Sequence, residues 1–265
     1  MGKTKSRYVA IIEEIFKKYY KKGMKEIPFE RDDIIAVAKK LNIDLPKNIG
    51  DLLYSFRYRA ELPDSIRKKA PPEHEWLLVP KGTSKYAFVV RKVIRIVPND
   101  ALAETKIPDA TPGVISKYAL NDEQALLAII RYNRLIDIFS GITCYSLQSH
   151  LRTNVPGVGQ IETDEIYVGI DKKGVHYIFP VQAKSNRERI GIVQIEQDFA
   201  MCRMKFGQLV CIPIAAQFIS ENVVAMFQFE SDDNSIKITH EKHYRLVSPA
   251  ELSDEDLALY RKRAF

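Results

Sequence analysis

Little in this 265-residue chain points to covalent cross-links or to a soft-metal site. Its three cysteines, Cys144, Cys202 and Cys211, show no CxxC spacing and leave an odd one over. That excludes a disulfide framework and fits buried free thiols in a reducing compartment. No apolar run approaches the roughly eighteen residues of a membrane-spanning helix. The opening MGKTKSRYVAII has no long apolar core and no small-residue cleavage site, so secretion is not expected and a cytoplasmic location is. There is no P-loop, no GxGxxG after a strand, no HExxH and no GxSxG, which sets aside the chemistries those motifs serve. Five histidines are present, His74, His150, His176, His240 and His243. Only His240 and His243 lie close in sequence, and they are read as surface residues. Internal repeats and low-complexity segments are missing too.

Apolar residues make up 46% of the chain, enough to build real cores. The net charge of +6 is unevenly spread. The first hundred residues carry 22 Lys and Arg against 13 Asp and Glu, and the remainder carries 18 against 21. A basic first part joined to a slightly acidic second part suggests a polyanion-binding module attached to something else.

Helical periodicity predicts helices over 6–23, 31–41 and 47–59. Two strand-like runs, EWLLVP and KYAFVVRKV, then flank Lys81-Gly82-Thr83-Ser84, a hairpin signal. Three helices followed by a β-hairpin is the order of a winged-helix module. In that reading 47–59 is the recognition helix, offering Lys47, Asn48, Tyr54, Arg57 and Arg59, and the wing spans Lys81 to Lys85 and touches phosphate. A basic helical cap or dimerisation domain is the alternative. Residues 97–114, with three prolines and no periodicity, are read as a linker. The expected organisation is therefore a winged-helix-like α+β domain over 1–96, the linker, and a second domain over 115–265. In the second domain we expect a helix over 121–139, another over 144–152, strands over 160–170 and 175–184, a helix over 193–205, and further strands. This order predicts α/β architecture with a mixed sheet.

The segment 160–184 carries the chemistry. An apolar strand is interrupted by Glu162, Asp164 and Glu165, and its hairpin partner ends in Gln182-Ala183-Lys184. A three-residue turn at 172–174 would set Asp171 opposite Val175, Asp164 opposite Gln182 and Glu162 opposite Lys184, with cross-strand neighbours about 5 Å apart. Such a set suits phosphodiester hydrolysis. Mg²⁺ takes oxygen ligands, and Asp164, the Gln182 amide, the Ala183 carbonyl and Glu162 offer them. The metal would polarise the phosphate and acidify a bound water, while Lys184 orients that water and steadies developing charge. Taken singly, Asp164 reads equally as a partner for a surface base and Lys184 as an exposed strand-end lysine. Their pairing at one end of a hairpin gives the catalytic reading its weight.

The series Asp164…Gln182-Ala183-Lys184 on adjacent strands resembles the PD-(D/E)xK nuclease superfamily, over roughly residues 120–220. Two departures stand out: the usual acidic residue is Gln182, and no proline precedes Asp164. The resemblance implies a restriction-endonuclease-like mixed-sheet core and Mg²⁺-dependent cleavage of double-stranded DNA, with Mn²⁺ able to substitute, in the manner of a type II restriction enzyme. It also implies a further carboxylate from the first helix of the domain, for which Glu123 stands in place. Glu196, Gln197 and Asp198 are expected to line the DNA cleft. His150 and Arg152, just before the hairpin, are read as incidental. A homodimer is expected, because cutting both strands of a palindrome mirrors protein two-fold symmetry. Two alternatives stay open, a structure-specific repair or junction nuclease and a non-catalytic winged-helix regulator with a degenerate nuclease domain.

Overall fold

A computed structural model describes residues 2–118, 123–185, 190–232 and 235–263, with the side chains of 2–6, 58, 59 and 235 left aside. The chain divides into two units. The first comprises residues 1–95 with 153–161, and the second comprises 96–152 with 162–265. No helix among the described residues is long and apolar enough to cross a membrane.

The first unit runs α1 (Gly2–Tyr19), β1 (Glu26–Glu30), α2 (Arg31–Lys40), α3 (Gly50–Tyr54), a π-helical turn (Ser55–Arg59), α4 (Asp64–Arg67), β2 (His74–Pro80) and β3 (Lys85–Lys92). Ile11, Ile12, Ile15 and Phe16 recur on one side of α1 and are buried, as a 3.6-residue period requires. In β1 the pattern alternates, with Ile27 and Phe29 in the core between exposed neighbours. Phe16 meets Trp76 and Phe88 edge-on, with ring centres 5.2 Å apart in both pairs. The small sheet is antiparallel in the order β1-β3-β2. The expected helix over 47–59 is interrupted: Asn48 Oδ1 accepts from Gly50 N at 3.1 Å, α3 has only five residues, and a π-turn continues it.

The second unit contains β4 (Glu104–Pro108), α5 (Gly113–Tyr118), α6 (Glu123–Tyr132), α7 (Leu135–Ser140), β5 (Thr143–Val155), β6 (Gly159–Ile170), β7 (His176–Lys184), α8 (Ile192–Lys205), β8 (Val210–Cys211), β9 (Ile214–Ser220), β10 (Val223–Asp232), β11 (Ser235–Val247) and α9 (Asp254–Arg261). The turn joining β5 to β6 belongs to the residues of the first unit. Strand order is β4-β11-β10-β9-β7-β6-β5, with β8 beside β7. β4 pairs parallel with β11 and β9 parallel with β7, while β6–β7, β9–β10 and β10–β11 are antiparallel. The sheet is mixed, as expected. Alternate residues of one face, including Phe179, Val181, Ala183, Ile214, Ala216 and Met226, pack with Leu126, Leu127 and Ile130 of α6 and with α7. The intervening Ile166, Ile178, Ala215, Ala225 and Phe227 are buried as well. Helix α8 contacts β7, β8 and β11 and covers that second face.

Several expectations need correction. Residues 144–152 form strand, not helix. Leu147 and Leu151 mimic a helical step, but β5 lies at the sheet edge and is exposed along most of its length, so no alternating apolar pattern was imposed on it. The segment read as a linker contributes β4 to the large sheet. The helix expected over 121–139 breaks at Arg134, whose φ of 50° is left-handed. Buried Asn133 holds the break, donating to Thr111 Oγ1 at 2.9 Å and accepting from Ala110 N at 2.7 Å. Residues 121–122, where that helix was to begin, lie outside the described residues, as do 186–189 of the loop before α8. His243 is buried, 2.8 Å from Glu241, rather than on the surface. All three cysteines are free, with Cys144 and Cys202 buried.

The turn after β6 takes the expected form. Asp171 N donates to Val175 O at 3.1 Å, Gly174 adopts φ 79°, and Asp171 Oδ1 accepts from Lys173 N and Val175 N. Two residues before this turn, Gly169 admits no side chain. A Cβ there would stand 2.9 Å from both Ile142 and Phe179 and 3.0 Å from Cys144 Sγ. Gly169→Ala should therefore cost about 1–3 kcal/mol of stability through overpacking, measured by urea unfolding. A midpoint unchanged from the wild type would contradict this packing.

Candidate active site

The β6–β7 ladder runs in the expected register, from Ile170 opposite His176 to Glu165 opposite Val181. There it stops. Ala183 N donates to Asp164 Oδ2 at 2.8 Å, so a side-chain carboxylate replaces a strand carbonyl as its partner. The alternation of β6 also turns over at this point. Thr163 and Glu165 would share a face in a regular strand. Instead the Thr163 hydroxyl donates to Asp198 of α8 at 2.6 Å, while Glu165 Oε1 accepts from Arg131 of α6 at 3.0 and 2.6 Å. The expected facing of Asp164 with Gln182 is thus corrected: Thr163 is the residue that shares a partner with Gln182.

Two polar clusters flank Asp164. On the α8 side, Gln182 Nε2 donates to Asp198 at 3.0 and 3.2 Å and to the Glu162 carbonyl at 3.3 Å. Its Oε1 accepts from Gln194 at 3.2 Å. The amide oxygen expected to hold a metal is therefore already bonded, and Gln182 is buried. On the α6 side, Glu165 is fully buried, and Ser146 Oγ adds a third donor at 2.7 Å.

At the strand ends, Lys184 Nζ lies 2.5 Å from Glu123 Oε1 at the start of α6. Lys184 is largely buried and Glu123 partly exposed. Burial pushes the Asp164 carboxyl up; the Lys184 charge and the Ala183 bond pull it down, Glu123 pushes it up again, and His150 pulls it down. Asp164, Lys184 and Glu123 thus share one electrostatic environment. Glu162 Oε1 pairs with Arg152 at 3.0 Å and stands 3.9 Å from His150 Nδ1. His150 has a left-handed φ of 49° inside β5, and its Nε2 is 3.0 Å from Gln124. That pair, read as incidental, therefore borders the site.

Oxygen donors predominate here. Asp164 Oδ1, Glu123 and Glu162 are hard ligands, the kind that Mg²⁺ and Mn²⁺ take. They fit such an ion in chemical type. Among the described residues no three His, Cys, Asp or Glu side chains are already gathered closely enough to hold one. No protein-family model, curated protein or solved structure matches this chain.

The remaining candidates fall as follows. Gln197 and Asp198 are buried rather than lining a cleft, and Glu196 is half-buried. In the first unit Lys47 and Lys85 are exposed and Arg57 is half-buried. Asn48, just before α3, accepts from Gly50 N and donates to Asp51. Lys81 pairs with Glu26 at 2.9 Å. The Arg59 side chain lies outside the described residues. The Arg131–Glu165–Ser146 cluster was not anticipated. Its one sequence signal was Glu165 in an apolar strand, which implies a buried basic partner.

Complete burial, with the Asp164 charge nearby, raises the Asp198 carboxyl to about 7 against the opposing Thr163 and Gln182 bonds. In the unfolded chain the same group releases its proton near the ordinary carboxylate value. Between those two values the folded chain holds a proton that the unfolded chain does not. Stability therefore falls as pH rises through this window and levels off above about pH 7. Asp198→Asn removes that slope. Its melting temperature should gain on the wild type between about pH 5 and pH 8, and parallel profiles would refute the assignment.

Proposed function

We propose that this chain is a metal-dependent DNA endonuclease of the PD-(D/E)xK type, acting on double-stranded DNA in the manner of a type II restriction enzyme. The observation that carries the reading is that Asp164, midway along β6, is bonded to Ala183 N at the end of β7, where the next residue, Lys184, meets Glu123 at the start of α6. Asp164 would hold Mg²⁺ through Oδ1, with Glu123 and Glu162 as the further carboxylates. The ion, when bound, supplies Lewis acidity toward the phosphate and acidifies a water. Lys184, largely buried and bonded to the Glu123 carboxylate, would bring its ammonium group to the site. It orients the attacking water and steadies charge gathering on the phosphate oxygens. Arg152 and His150 border the site on the β5 side, where a strand's phosphates would pass.

The first unit supports a DNA-binding role. Its helices α1 to α4 are followed by the β2–β3 hairpin, with β1 beside β3, an arrangement compatible with the winged-helix reading. Lys47 and Lys85 lie on its surface. A homodimer in the cytoplasm completes the proposal.

One observation favours a second reading, a DNA-binding regulator with a degenerate nuclease domain. The position that usually bears an acid carries Gln182, and its amide is turned to Asp198. One experiment separates the two. Incubated with unmethylated plasmid and Mg²⁺ or Mn²⁺, the wild type should cut the DNA to discrete fragments, and Asp164→Ala and Lys184→Ala should each be slower by about 10²-fold or more. Equal cutting by all three proteins would discard the site. DNA binding without cleavage by the wild type would select the regulator, and cleavage confined to branched or damaged DNA would select a structure-specific enzyme.

A further inference from the structure

A cavity of about 340 Å³ opens beside the Glu165 cluster, between α6, α7 and the start of β5. This is within the size range of small-molecule sites, about 300–1,000 Å³. Its floor is apolar and buried, made by Ile130, Cys144 and Tyr167. Its rim is cationic and aromatic, with Arg131, Arg134 and Tyr145. Tyr145 is 60% exposed, so its ring face is open to an incoming ligand. The Tyr167 hydroxyl is buried on the inner wall, beside the Glu165 carboxylate and the Arg131 guanidinium. Asp137 also lines the cavity, but its charge is offset by Arg134 and it accepts from Cys144 N at 2.9 Å. Arg134 bonds Asp137 through Nη2, which leaves guanidinium donors for a second anion.

An apolar floor, flanking aromatic rings and a rim guanidinium together select a planar heterocycle that carries a phosphate. We propose that this pocket binds one nucleotide, its base between Tyr145 and the Tyr167 floor and its phosphate on Arg134. The inference rests on the nuclease reading for its source, a nucleotide of the substrate strand unstacked from the duplex. The spacing suits that source. Arg131 follows Glu123 by eight residues of helix, about 12 Å, and Tyr167 follows Asp164 by three residues of strand, about 10 Å. Each distance is about three base steps of B-form DNA. The bound nucleotide would lie about that far from the reacting phosphate.

The test needs neither cleavage nor metal. The four deoxynucleoside 5′-monophosphates are titrated into the whole protein in EDTA, followed by NMR or calorimetry. At least one should bind saturably in the millimolar range or tighter, and inorganic phosphate about tenfold more weakly. Tyr145→Ala and Arg134→Asn should each weaken binding about tenfold, roughly 1.4 kcal/mol. Asparagine is chosen because it tolerates the left-handed backbone at 134. Duplex DNA should displace the nucleotide. Saturable binding of none of the four, or binding indifferent to both substitutions in folded protein, would overturn the site. Binding that DNA fails to displace would overturn its assignment to the substrate strand. Loss of plasmid cleavage in Asp164→Ala bears on the catalytic reading alone, so the two can fail separately.

Discussion

The hydrogen bond from Ala183 N to Asp164 Oδ2 marks where two strands stop behaving as a regular ladder. A buried backbone N–H must find an acceptor. Here it takes a carboxylate, and that choice holds Asp164 against β7. The face reversal in β6 follows. Thr163 turns to α8, Glu165 turns to α6, and each closes a separate polar cluster. Asp164 is left between them, near Lys184 and Glu123, where the β6–β7 ladder breaks off. Local departures from ideal strand geometry of this sort re-aim side chains and often accompany function.

Each flanking cluster solves the problem of a buried acid differently. Glu165 is met by a cation: two guanidinium N–H groups of Arg131 and the Ser146 hydroxyl share one of its oxygens. Removing such a partner strands the charge, and the penalty exceeds anything the pair contributes. Among the described residues Asp198 is met by the Thr163 hydroxyl and the Gln182 amide, both neutral. Its carboxyl therefore rises toward neutrality. Gln182, bonded through both amide atoms, is the link between this cluster and β7, which is why it does not turn toward Asp164.

Local rules made part of this legible in advance. The buried stripe of α1, the hairpin β2–β3 and the turn at 172–174 depend on neighbouring residues only: a 3.6-residue period, a Lys-Gly-Thr-Ser turn, and a glycine where φ must be positive. The pairing of β6 with β7 followed from that turn as far as Glu165 and Val181. Beyond them the slip at Asp164 was invisible, since it depends on an acceptor from α8 and a donor from α6, both remote in sequence. β5 misled for a related reason. An edge strand is exposed along its length, so nothing obliges its sequence to alternate, and two leucines four apart imitate a helix. β4 was hidden because its pairing partner, β11, lies more than a hundred residues away.

What the sequence determined alone is the alphabet of the molecule. It set a basic first part and a more acidic second part, the amphipathic helices and hairpins, a mixed α/β class, and an acid and a lysine on adjoining strands. What the tertiary structure decided is which groups meet. It turned Gln182 away to Asp198, set Glu123 against Lys184, drew His150 and Arg152 to Glu162, and opened a cavity lined by Tyr145 and Arg134. The division is physical. Periodicity and turn chemistry act over a few residues, whereas buried charges and backbone amides are satisfied by whichever partners packing brings within about 3 Å, at any distance along the chain.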